Sequence, residues 1–192
     1  MSFSRYKTVD IFVFALITIL FESICAFAIT KWFPDQTFTV SITFAVVAIV
    51  MMRWKYFAAI HAVLGGLTLV FIHRAVSGNF PAEGYAIYPI GNLFALSALL
   101  IIKAVGDEKI RKVWYFTLLY VVTIYLSVEL GRALLSLAFG KGFILGSFLL
   151  ADSVSFLFLT VASFVARSLD GMFEDQKKYL LRTHAKKREE AS

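Results

Sequence analysis

The sequence holds one cysteine, Cys25, and three histidines, His61, His73 and His184, in 192 residues. A single cysteine excludes an internal disulfide, and Cys25 lies in an apolar stretch that suits a small buried residue. A water-activating metal centre needs about three clustered His, Cys or carboxylate ligands. Here two histidines stand at opposite ends of one apolar block and the third in a terminal tail, so they cannot converge. There is no Gly-x-Ser-x-Gly turn and no serine in register with a histidine base. There is no Gly-x-x-x-x-Gly-Lys phosphate loop and no cofactor motif. An enzyme is therefore not expected, and any ATP hydrolysis belongs to other chains. Charge is scarce too, at 17% against about a quarter in soluble domains.

What fills the chain instead is apolar. Fifty-nine per cent of residues are hydrophobic, 20 are Phe, and the mean hydropathy is +0.78. These residues fall in six blocks, each near or above the roughly 17–25 residues that cross a hydrocarbon core as helix. The fold class expected is an all-α integral membrane protein with spans at 9–30, 38–53, 56–73, 88–105, 113–138 and 142–167. The first block is read as a retained span, because Lys31-Trp32-Phe33-Pro34 offers no small-residue cleavage site. Gly78, Pro81 and Gly84 mark a long connection between spans three and four, and Gly140-Lys141-Gly142 a tight turn between five and six. A six-helix membrane domain is expected over 1–170, and a charged cytoplasmic tail over 171–192.

Basic residues orient such a chain. Fifteen of the 19 Lys and Arg fall on the side shared by the termini and loops 2–3 and 4–5; only Lys31, Arg74, Arg132 and Lys141 do not. Both termini are therefore expected in the cytoplasm, in a multi-pass protein of the cell membrane. The net charge of +6 is accounted for by lipid headgroups, with no need for nucleic acid. Trp32, Trp54 and Trp114 at span ends read as interfacial anchors, and Gly65, Gly66, Gly91, Gly131 and Gly146 as points of close helix approach.

Several polar residues interrupt the apolar blocks. Glu22 lies well inside span one, and Asn92 early in span four. Glu129 and Arg132 are three apart on span five and share a face with Tyr125, while Asp152 and Ser155 form a similar stripe on span six. Two readings stay open. The charges pair with one another and fix helix packing, or Asn92, Tyr125, Glu129, Arg132, Asp152 and Ser155 line a substrate cavity open to the outside.

At this point the chain resembles a known family. Six short spans in under 200 residues, without an energy-coupling motif, are similar to the substrate-binding S components of energy-coupling factor (ECF) vitamin importers. RWKYFAAIHAVLGGL, Arg53 to Leu67, resembles that family's third span, and YPIGNLF, Tyr88 to Phe94, the start of its fourth. The resemblance implies a vitamin substrate held by spans four to six, a transmembrane coupling subunit as partner, and two ATPase subunits. It places the coupling contact on span one at an Ala-x-x-x-Ala motif, where this chain has Ala15 and Ile19. Among the branches the general resemblance is closest to the cobalamin type, and riboflavin, pantothenate, pyridoxine or another vitamin are the alternatives it leaves open. The alternative is a stand-alone ion-coupled transporter, a class marked by repeated halves or broken helices with mid-membrane polar residues. Neither mark is evident in the sequence.

Overall fold

The computed structural model describes residues 3–35 and 37–190. The last two residues of the tail lie outside them. The described residues form helices and no strand: α1 (Phe3–Trp32), α2 (Thr43–Trp54), α3 (Ala58–Ser77), α4 (Gly84–Asn92), α5 (Leu99–Val105), α6 (Asp107–Lys112), α7 (Trp114–Ala138), α8 (Leu145–Ala151), α9 (Ser153–Ser168) and α10 (Gln176–Glu190). Four helical stretches are long and apolar enough to cross a membrane, Phe3–Trp32, Thr43–Ser77, Gly84–Val105 and Trp114–Ala138. The pair α8 and α9, bent by 57°, makes five if counted as one. These are the helices of a multi-pass membrane protein. A tight 3-10 stretch, Leu93–Ala98, joins α4 to α5 within one of these rods.

The difference from the six even spans lies mainly in α2. Its 12 residues rise only about 18 Å, well short of a hydrocarbon core of about 30 Å. Thr43–Ser77 is helical almost throughout, yet it reverses at Lys55, whose φ of 54° is costly for a side-chain-bearing residue. α2 thereby folds back on α3, and Gly65 meets Thr43 so closely that a Cβ there would lie 1.9 Å from the Thr43 hydroxyl. Eleven of the 12 residues of α2 are buried. It is the central rod, with α1, α3, α7 and α9 around it.

Residues 37–42 lead to α2 without helix. Backbone of that kind inside a membrane must be satisfied by protein. Thr39 N–H donates to the Ala151 carbonyl at 2.7 Å, and Ser41 N–H to the Ser155 hydroxyl at 2.9 Å. Both partners flank the break between α8 and α9, so two interruptions meet.

The tail begins as part of the bundle. Phe173 is fully buried with its ring 5.9 Å from Tyr120, and Glu174 and Gln176 are buried beside it. The Gly171 carbonyl accepts from Arg53 at 2.5 Å and from Gln176 at 2.6 Å, and Arg111 reaches Glu174 at 2.7 Å. Trp54 is not an exposed anchor: it is buried, and its indole N–H donates to Asp10 at 2.5 Å. Trp32 and Trp114 are exposed, as anchors should be. Of the packing glycines, Gly65, Gly66, Gly91 and Gly131 do sit in close contacts, whereas Gly146 faces open space.

Candidate functional site: a buried charge cluster beneath two clefts

Helical spacing on α7 puts Glu129 and Arg132 on one face, and Arg132 is the largest fully buried side chain among the described residues. Gly91 makes room for it, since a Cβ there would lie 2.4 Å from Arg132 Cγ. The guanidinium donates through Nη1 to both carboxylate oxygens of Glu129 at 3.3 Å and, more closely, to Asp152. Through Nη2 it donates to the Asn92 carbonyl oxygen at 2.8 Å. Asn92 in turn donates to the Ala62 carbonyl at 3.1 Å, fixing which way its amide points. The Phe44 and Tyr88 rings pack near the guanidinium, with centroids 5.1 and 4.8 Å from its carbon.

Asp152 stands at the break between α8 and α9, where the bend frees it from a continuous helix face. Its other oxygen accepts from the Thr39 and Ser155 hydroxyls, the latter at 3.3 Å. Ser155 links the cluster to a third carboxylate through Ser41, whose hydroxyl donates to Glu22 at 2.9 Å. The same Glu22 oxygen accepts from the Ile42 and Thr43 N–H groups at 3.1 Å and from the Thr43 hydroxyl at 2.7 Å. A carboxylate on α1 thus caps α2, which has no cap of its own. Negative charge is favoured at a helix N-terminus. The other Glu22 oxygen is buried with no hydrogen-bond partner among the described residues.

Five of the six residues expected at the substrate site therefore come together, namely Asn92, Glu129, Arg132, Asp152 and Ser155. They do so as a closed network, and none lines a described cavity. Tyr125 lies beside it, its hydroxyl donating to the Leu149 carbonyl at 2.5 Å and its ring 4.7 Å from Phe156. Ala15 is half-buried on α1, and Ile19 is exposed. The participants not expected are Thr39, Ser41, Thr43, Phe44 and Tyr88. For the hydroxyls there was a signal: TFTVSIT, Thr37 to Thr43, alternates polar and apolar with period two, the mark of extended chain.

Two clefts open above the cluster, at the end of the bundle away from the termini. One, of about 350 Å³, is walled by Phe80, Ile87, Tyr88, Ile144 and Phe148, with Ser136 as a polar group and the Glu83–Lys141 ion pair, 2.7 Å, at its rim. Its aromatic wall is continuous, with ring centroids 5.9 Å apart for Phe80–Tyr88 and 6.4 Å for Tyr88–Phe148. The other, of about 170 Å³, is more polar and carries Thr30, Thr37, Thr39, His73 and Ser77. Tyr88 and Thr39 are each both cleft wall and cluster partner. No group of three or more His, Cys, Asp or Glu among the described residues could hold a metal.

Comparison with known proteins returns no match: no family model, no curated protein and no solved structure resembles the chain.

Proposed function

We propose that this chain is the substrate-binding S component of an ECF-type vitamin importer. It crosses the cell membrane six times, with α2 and its extended lead-in as the second crossing and both termini in the cytoplasm. A vitamin binds from outside in the aromatic cleft and is delivered with a transmembrane coupling subunit and two ATPase subunits. The observation that carries this reading is Tyr88, which walls the outward cleft and lies on the Arg132 guanidinium below it. Ligand pockets are mostly apolar with few placed polar groups, and about 350 Å³ is at the small end of their range of roughly 300–1,000 Å³. That volume suits a vitamin of one or two rings better than cobalamin, whose macrocycle would require the cleft to widen. The exposed strip Phe12, Leu16, Ile19 and Leu20 on α1 offers an apolar surface for the coupling subunit, with Ala15 beside it.

One observation favours the second reading, an ion-coupled transporter. Two chain interruptions meet at mid-bundle around Glu22, Glu129 and Asp152, three carboxylates with one guanidinium among them. Discontinuous helices of this kind hold coupling ions in secondary transporters. Small molecules that co-purify with the detergent-solubilised protein, identified by mass spectrometry, would name the ligand. Uptake of that ligand by vesicles then separates the readings. No uptake by the chain alone, and ATP-dependent uptake once coupling subunit and ATPases are added, fits the S component. Gradient-driven uptake by the chain alone overturns it.

A further inference from the structure

At the end of the bundle that carries both termini, α10 leaves a second face unoccupied. Lys178 pairs with Asp107 at 2.7 Å, and Arg182 reaches Asp170 and Glu174 at 3.2 and 3.1 Å, so this face of the helix is tied to the bundle. Tyr179 packs on Gly171. The stripe Lys177, Leu180, Leu181 and His184 follows the spacing i, i+3, i+4, i+7 and points elsewhere. Across from it stand Phe3 and Tyr6 in the first turns of α1, and the groove between has a volume of about 600 Å³. Its floor is apolar, and Lys177 and His184 stand at its rim. Lys177 and His184 are exposed, and neither side chain makes an ion pair or hydrogen bond among the described residues.

We propose that this groove binds one anionic phospholipid, with the phosphate between Lys177 and His184 and an acyl chain over Phe3, Leu180 and Leu181. The groove is continuous with the bilayer-facing side of α1. Val9 and Val13, three and seven residues on from Tyr6, lie on the same side of α1, and both are exposed. A chain leaving the groove therefore has an apolar track leading into the membrane, which a soluble partner would not use. The charge is complementary, since basic pockets at the membrane surface select anionic headgroups. The lipid would wedge between α1 and α10, bracing the junction that Tyr6 already makes with Gln176 at 3.0 Å. This site is at the opposite end from the clefts and does not depend on the reading given to them.

The test is native mass spectrometry of the full chain in detergent, titrated with dioleoyl phosphatidylglycerol or dioleoyl phosphatidylcholine. The expected result is one retained phosphatidylglycerol per chain, preferred at least fivefold over phosphatidylcholine. K177Q/H184Q should abolish the preference, and both residues are exposed, so the fold should survive. K103Q/K109Q alters two cations away from the groove and should keep it. Equal retention of the two lipids, or unchanged preference in K177Q/H184Q, overturns the proposal. So does displacement of the adduct by excess inorganic phosphate, or a dimer of chains in its place.

Discussion

The ring of Tyr88 lies 4.8 Å from the guanidinium carbon of Arg132, and that of Phe44 lies 5.1 Å from it. A cation over an aromatic ring away from water gains about 2 kcal/mol or more from such a contact. Tyr88 also separates the cluster from the 350 Å³ cleft, so a ligand that shifts this ring changes the environment of the buried charge.

Tyr88→Phe should therefore differ sharply from Tyr88→Ala. The phenylalanine keeps a face on Arg132 and a wall on the cleft, and its ligand affinity should stay within threefold of the parent. The alanine removes both and should weaken binding of the co-purified ligand at least tenfold, measured by isothermal titration. Equal affinity in the two variants would disconnect the cleft from binding.

Most of the helical content and the membrane class were legible in hydropathy alone, because apolar blocks must become helix in lipid. The identity of the cluster was legible as well, since Glu129, Arg132 and Asp152 stand out wherever the neighbours are Leu and Phe. Its closure was not. Whether Arg132 faces water or carboxylate depends on Gly91 admitting its side chain and on the bend at Asp152, and both are properties of packing between distant segments. The short α2 was masked for another reason: averaged hydropathy is blind to the two-residue period of TFTVSIT, which separates extended chain from helix.

Gly66 and Gly146 should respond oppositely to alanine. A Cβ on Gly66 would lie 2.7 Å from both N and Cα of Pro89, backbone atoms that cannot step aside. Overpacking of that kind costs about 1–3 kcal/mol, so Gly66→Ala should lower the melting temperature by several degrees. Gly146 faces open space within α8, and alanine there should be neutral or stabilising by up to about 1 kcal/mol. Thermal unfolding in detergent measures both, and a harmless Gly66→Ala would mean that α3 and α4 are not so closely packed.

Asp107 lies outside the spanning segments and gives a pH signature. Burial acts to raise its pKa, yet the hydrogen bond from Lys178 and the charges of Lys55 and Lys178 together hold it below the ordinary value of 3.8. A depressed folded-state value means that the unfolded chain binds the proton more readily. The stabilisation is then fully present above about pH 4 and is lost as pH falls through the folded-state value. Lys178 is largely exposed, so the contribution at neutral pH should be no more than about 1 kcal/mol. Asp107→Asn should show a small loss of melting temperature at pH 7 that shrinks as the pH is lowered below 4. A loss independent of pH would assign Asp107 a packing role instead.

Glu22 should tolerate glutamine better than leucine. Four donors converge on one of its oxygens, two of them backbone N–H groups at the start of α2. A glutamine oxygen can accept from the same donors, although without the charge that favours a helix N-terminus. Leucine would strand them, and each buried donor left unmet costs about 1–3 kcal/mol. Glu22→Leu should consequently lower thermal stability much more than Glu22→Gln, with the loss of protection in hydrogen exchange concentrated at 41–46. Equal behaviour of the two variants would show that α2 does not rely on this cap.

Arg132 provides the strongest test of how the cluster works. The sequence left two readings open, a hydrated wall or an internal ion pair, and they predict opposite effects of removing the guanidinium. Water would already solvate the carboxylates of a hydrated wall, so Arg132→Ala would affect ligand affinity and hardly alter the empty protein. In the closed network Arg132 is 1% exposed, and its removal leaves Glu129 and Asp152 facing each other without a counter-charge. Breaking a buried pair from one side costs about 3–5 kcal/mol. Arg132→Ala should therefore destabilise the ligand-free protein strongly. The carboxylates left behind are the cause, so neutralising them should restore part of the loss. The triple variant Arg132→Met, Glu129→Gln, Asp152→Asn should melt well above Arg132→Ala, which a cavity left by a missing side chain would not explain. A small change in the ligand-free melting temperature of Arg132→Ala, or no recovery in the triple variant, would return these charges to a solvated pocket.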